Sequence, residues 1–513
     1  MTIASLLRTA IPKKAISGAI AVAVTIGCAN LSYAAPTNRD IAWQIFERLT
    51  GTPPSNAMLD TMTDCITNGT GSQICQTGAT VDGVQSIGLN SLSDSSVTGT
   101  STMQQSLAAA TSHNSSSVNT SSNVNKAGIV AATFLAMQDP NFLNVKVKDM
   151  VLPWTNKDQT VFFPFNDAAA MMIGMIRDGK DFRQLLYGDI YYDDPSASVA
   201  FSKFVFPVSN TDPQSNNDHF AYIENQNLPL KTALVATTQS GVTGMPTEGI
   251  AGVMTTRAMQ RAYFYAGTNR AMLRFTFLNF LCNDLGQVKD INSNPERIRQ
   301  DPSRSPGGDS SVFLNKCIGC HAGMDGMDGA FAYYNWGSAI YQPNPNTPVD
   351  SQGSVYASSD IPNGYTLSGK AFPPSRVMPK YRQNFLSFPG GYETTDDSWI
   401  NYWRVGLDAN LGWDEGANDS SPHIVSYDPK NNSNPYPSTQ ANPQMGSAAQ
   451  LGYELSHTVA FARCQVLHVY RHTCMNDPTE KKLAAMVGDF QGSNYNMLAA
   501  FSDAAIACSK RPT

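Results

Sequence analysis

The sequence predicts a mainly α protein with a helical N-terminal region, a second helical domain with long loops, and a C-terminal helical hairpin. Three observations predict it. Apolar residues recur at helical steps in most segments, and alternation occurs in only one. Capping and stop residues bracket the periodic segments. Hydrophobic residues make up 42 % of the 513 and charged residues 15 %, enough apolar surface for a core and long enough for two or three domains.

The elements follow in order. "RDIAWQIFERLTG" sets Ile41, Ile45 and Leu49 four apart and stops at Gly51. Residues 83–125 are rich in Ser, Thr and Asn and read as an exposed loop. "AGIVAATFLAMQDP" is a helix that ends before Pro140. "FNDAAAMMIGMIRDGKDFRQLLYGD" starts on an Asn/Asp cap and gives two short helices around Gly179; its stripe of Met171, Met172 and Met175 reads as core packing. "YIENQNLPLKTALVATT" alternates enough for a strand or two. "TEGIAGVMTTRAMQRAYFYAGTN" and "RAMLRFTFLNFLCND" are further helices. The polar, Pro- and Gly-rich stretch after Asp290 reads as a linker, so 36–290 forms one region and a second domain runs over 300–447. In that domain Trp399, Tyr402, Trp403 and Gly406 share one helical face, read as a buried aromatic face. Residues 448–474 read as one helix. It opens the terminal helical segment 448–513, expected to pack on the second domain.

The N-terminus carries Arg8, Lys13 and Lys14, an apolar run over 15–27, then small residues Ser32 and Ala34. This is the pattern of an export signal over 1–34. The run is shorter than the ~20 residues of a membrane span. A periplasmic or extracellular protein is expected, with lipidation at Cys28 the less favoured alternative. Nine cysteines are present. Setting aside Cys28, Cys317 and Cys320 leaves an even number in an oxidising compartment, hence three disulfides. Cys65 and Cys75, in a short polar stretch, pair with each other. Cys464 and Cys474 on one helix would be ~15 Å apart at ~1.5 Å per residue and cannot pair. Each therefore bonds Cys282 or Cys508, and the sequence does not choose.

"FLNKCIGCHAGMDGMDG" holds Cys317, Cys320 and His321 as C-x-x-C-H. Zinc needs four ligands, and no second C-x-x-C exists. The pattern fits covalent attachment of one haem c: two thiols in adjacent turns each bond a vinyl group, and the following imidazole lies under the iron. Asp325 and Asp328 lack a third carboxylate at calcium-binding spacing and read as part of a turn.

The segment "GGDSSVFLNKCIGCHAGMDG", with Phe313 four residues before Cys317 and Gly308 near the usual small position, resembles the opening of a class I c-type cytochrome domain. The resemblance implies His321 as proximal ligand and Met378, followed by Pro379, as distal ligand, although the loop 341–366 between them is long. More loosely, "CHAGMDGMDGAFAYYNW" and "ELSHTVAFARCQVLHVYRHTC" are similar to large secreted single-haem bacterial proteins. Met324 and Met327 fall on the proximal side. Other distal candidates are a histidine, Met445 or an open site, with Arg376 or His423 as pocket residues.

The implied function is electron transfer to or from a redox protein, because His/Met ligation leaves no vacant site and raises the potential. Alternatives are a peroxidase- or oxygenase-like haem enzyme with an open distal site, and a partner- or surface-binding protein with an appended redox domain. A net charge of −6 without basic runs excludes a nucleic-acid partner. Serine-triad, phosphate-loop and dinucleotide motifs are absent from the sequence.

Overall fold

The computed structural model describes residues 35–81, 83–85, 87–93, 125–194, 217–265, 267–299, 306–337, 353–360, 365–367, 369–382, 391–416, 423–425 and 445–509. The expected signal at 1–34 with Cys28, most of the 83–125 stretch and most of the 341–366 loop lie outside them.

Helix α1 (Asn38–Thr50) starts on a capping box, in which the Thr37 side chain accepts from the Asp40 amide and the Asp40 carboxylate accepts from the Thr37 amide. It stops where Gly51 turns left-handed, at φ 75°. Helices α2 (Asn56–Asn68) and α3 (Gln73–Thr77) follow, then α4 (Lys126–Ala136), capped by Asn125. Helices α1, α2 and α4 pack together. Cys65 in α2 bonds Cys75 in α3, so this expected pair holds two helices together where a polar loop was expected.

Helix α5 (Asp167–Arg177), capped by Asn166, is buried along its whole length. Met171, Met172 and Met175 are core residues, as their spacing indicates. The segment expected as a strand or two, 222–238, holds one strand. The end of α6 (Asp218–Asn225) and a single turn, Leu230–Ala233, precede that strand, Val235–Thr237, which pairs with Tyr191–Asp193. Helices α7 (Arg257–Tyr263) and α8 (Arg270–Phe280) complete this part. Buried Asp167 accepts from the Arg257 and Ala258 amides and so ties α7 to α5.

Helices α9 (Ser310–Lys316) and α10 (Ile318–Met327) carry the cysteine motif. The aromatic stretch after Ser398 is not helical. Trp399–Asn401 is a strand paired with His423–Val425, and Tyr402–Arg404 is a 3₁₀ turn. Its Trp399, Tyr402 and Trp403 are nevertheless buried, so an aromatic face is present on a different backbone. The reason lies in α10 and the 3₁₀ turn that follows it, Asp328–Phe331. Gly323, Gly326 and Gly329 recur every third residue and form a stripe without side chains. A Cβ on Gly323 would stand 2.1 Å from the Trp403 ring, one on Gly326 2.8 Å from the Ile400 carbonyl, and one on Gly329 2.2 Å from the Ser398 carbonyl. The Trp399–Trp403 segment lies directly on that stripe.

Residues 448–474 form two helices, α11 (Ser447–Ser456) and α12 (Val459–Cys474), because Thr458 caps a new start. Helices α13 (Glu480–Gly492) and α14 (Met497–Cys508) then pack with α12. This terminal bundle also packs on α1 and α4, and α12 packs on α8, so it does not rest on the motif-bearing segment alone. The boundary expected after Asp290 does not divide the fold: residues Thr37–Thr513 form one compact unit. Disulfides Cys282–Cys464 and Cys474–Cys508 settle the open connectivity. The fold is mainly α. Every strand among the described residues belongs to a two-stranded antiparallel ribbon. No helix among them is long and apolar enough to cross a membrane.

Candidate functional site

Asp309 caps α9 through the Ser311 amide. The helix runs to Cys317, where the backbone hands over to α10 with scarcely a break. The Cys317 amide still bonds the Phe313 carbonyl at 2.8 Å, and the Cys320 and His321 amides both bond the Cys317 carbonyl, at 3.2 and 3.1 Å. Cys317, Cys320 and His321 are thus gathered on one turn at the helix junction. Both thiols are unpaired and half-buried, while the other described cysteines are in disulfides. The Cys320 Sγ faces the Leu285 carbonyl at 3.3 Å, and burial pushes its thiol up. Phe313 is buried, with its ring 5.3 Å from that of His321, which is why an aromatic stands four residues before the first cysteine.

The surroundings of the motif are partly apolar, with Lys289, Asp284 and Asp408 close enough for their charges to act on Cys320. Ile298, Phe313 and Ala322 form a small cluster with Cys317 and Ile318. Ile291 is 73 % exposed although its side chain lies against Gly319, between the two thiols in sequence. Leu314, one turn before Cys317, is 51 % exposed, and Leu407, whose amide donates to Asp290 beside Ile291, is 64 % exposed. Exposed leucine and isoleucine side chains around two free thiols are what a large flat apolar group would cover. The donor set and the rim both fit a haem c held by Cys317, Cys320 and His321.

Behind the imidazole stands a carboxylate that is helical and not part of the expected turn. Asp325 lies within α10, one turn after His321, with a side chain fully buried. Its Oδ1 is 3.1 Å from the His321 Nδ1. Arg270, the first residue of α8, grips the same carboxylate with both ends of its guanidinium, at 2.7 and 2.8 Å, and the Arg299 amide donates at 3.0 Å. Burial alone would raise this carboxyl. Arg270, the His321 ring and Arg299 outweigh burial and hold it well below the usual carboxylate range. Asp328 is likewise helical and buried and pairs with Arg299. The missed signal is a His and an Asp four apart on one helix, which share a face.

No known family model, curated protein or solved structure matches this chain.

Met378 is not gathered with the motif. It is fully buried in a separate apolar cluster with Ala332, Val355, Ala357, Val377 and Tyr381, and its amide donates to the Ala332 carbonyl. Arg376 stacks on the Tyr333 ring beside that cluster and donates to the Ala357 carbonyl. Met445 is a fully buried core residue. His423 lies in a strand, opposite Asn401 in the antiparallel register. His468 and His472 contact the Asn279 and Lys146 carbonyls at 3.0 and 2.7 Å, and burial pushes both down to about 4, so both are neutral rings within the bundle. Cys282, Cys464 and His468 come together as well, but the two sulfurs are bonded to each other and offer no thiolate to a metal.

Proposed function

We propose that the chain is an exported mono-haem c protein that transfers electrons, with the haem bound through Cys317 and Cys320 and His321 as its proximal ligand. The observation that carries the reading is the joint position of these three side chains on one half-exposed turn, rimmed by Ile291, Leu314 and Leu407. Such a haem would supply a one-electron couple. The chain's residues do the rest. Phe313 packs against the imidazole and Asp325 anchors it. The exposed rim would keep one haem edge close to the surface, where a redox protein can dock. The disulfides support a periplasmic or extracellular address, which covalent haem attachment also requires.

A second reading is a haem enzyme with an open distal site. The observation that favours it is the seat of Met378 in a cluster of its own. An optical spectrum with and without carbon monoxide decides between them. Electron transfer predicts a low-spin, six-coordinate ferrous protein that takes up carbon monoxide poorly. Rapid uptake by the wild type, unchanged in Met378→Ala, would replace it with the enzyme reading.

A further inference from the structure

We infer that Asp325 is a positioning residue for His321, one that holds the ring by Nδ1 and lowers the reduction potential of the haem. The inference rests on the haem reading above and adds to it the electronic character of the site.

The geometry makes the case. The Asp325 Oδ1 is 3.1 Å from the His321 Nδ1, and its side chain has no exposure to water. That contact fixes the proton on Nδ1 and leaves Nε2 as the nitrogen free to bind a metal. The carboxylate cannot swing away. Arg270 holds both oxygens from α8, and the Arg299 amide holds Oδ2 from the segment before α9. Two elements distant in sequence therefore converge on one oxygen pair behind the ring.

The chemistry follows from charge. An imidazole whose N–H donates to a carboxylate is a stronger base than one whose N–H meets a neutral group. A more basic ligand stabilises the more highly charged ferric ion, so the potential falls. Arg270 works in the opposite sense, because its positive charge draws electron density from the carboxylate. Asp325 and Arg270 thus form a pair whose two members move the potential in opposite directions.

The test is redox titration of purified holoprotein, with in-gel haem staining as a control. Asp325→Asn keeps the shape and removes the charge. Its potential should rise by a tenfold shift in the ferric-to-ferrous ratio, about 59 mV for a one-electron couple. Arg270→Gln should lower the potential, while Arg270→Lys, which keeps the charge, should stay near the wild-type value; loss of structural support would lower both. Should Asp325→Asn fail to fold, the Arg270 variants decide: a fall in Arg270→Gln that is absent in Arg270→Lys supports the inference, and no change, a rise, or an equal fall in both overturns it. Haem-stained Asp325→Asn and Arg270→Gln variants with wild-type potentials also overturn it. If the wild type carries no haem stain, the haem reading itself has failed and this inference falls with it.

Discussion

Replacing Gly323 by alanine tests the contact that orders the motif helix against the aromatic segment. The new Cβ would stand 2.1 Å from two atoms of the Trp403 ring. Carbon atoms prefer about 3.5–4.0 Å, so a gap of more than ~1 Å must open. Trp403 has little room to yield. It is fully buried, its amide donates to Asn401, its carbonyl accepts from the Trp413 ring, and its ring meets Phe277 edge-on. Overpacking of this kind costs about 1–3 kcal/mol. Removing a helical glycine returns ~0.8–1 kcal/mol. With rigid neighbours the clash falls at the upper end, so Gly323→Ala should destabilise by about 1–2 kcal/mol. Gly488, exposed in α13 with nothing within 4 Å of a Cβ, provides the counterpart. Gly488→Ala should stabilise by ~0.8–1 kcal/mol. Urea unfolding should show the two midpoints moving in opposite directions at unchanged slope. If Gly323→Ala shifts the midpoint upward as Gly488→Ala does, the packing of Trp403 on the glycine stripe is wrong.

Three further outcomes are expected. Non-reducing peptide mapping should find Cys65–Cys75, Cys282–Cys464 and Cys474–Cys508 and no other pairing. Changing Cys474 and Cys508 together to serine should cost about 3–4 kcal/mol in the same urea assay, because a loop of 34 residues is released in the unfolded chain; a loss below ~1 kcal/mol would contradict the bridge. Burial pushes the Asp397 carboxyl up to about 7 against the pull of Arg376, so its contribution is fully present below pH ~4 and is lost as the pH rises through 7. Asp397→Asn should therefore gain stability over the wild type as the pH goes from 4 to 8, by up to about 4 kcal/mol, and equal stability differences at both pH values would refute it.

Much of the fold was legible because it is local. The four-residue steps from Ile41 to Leu49, the Asn166 cap and the left-handed stop at Gly51 act within a turn or two of themselves. The cysteine motif was legible for the same reason, since Cys317 to His321 span one turn. Parity gave three disulfides, but the choice between Cys282 and Cys508 required tertiary positions. What escaped depends on distant partners. Trp399 and Trp403 have helical spacing, yet strand pairing with His423–Val425 and the glycines of α10 impose another backbone. The Gly-rich GMDGMDG looked like a turn because its glycines have no local helical advantage; they are there for the Ser398–Trp403 segment. Asp325 gains its meaning only when Arg270 arrives from α8. Met378 carries the right side chain before a proline, but its neighbours are Val355, Ala357 and Tyr381.

Covalent attachment of haem to Cys317 and Cys320 can be read from in-gel haem staining after denaturation, with mass spectrometry of the peptide that contains both cysteines. The expected result is a stained wild-type band, a peptide heavier by one haem, and loss of both in the Cys317→Ala, Cys320→Ala double variant. An unmodified peptide from exported wild-type protein, or undiminished staining in the double variant, would contradict it.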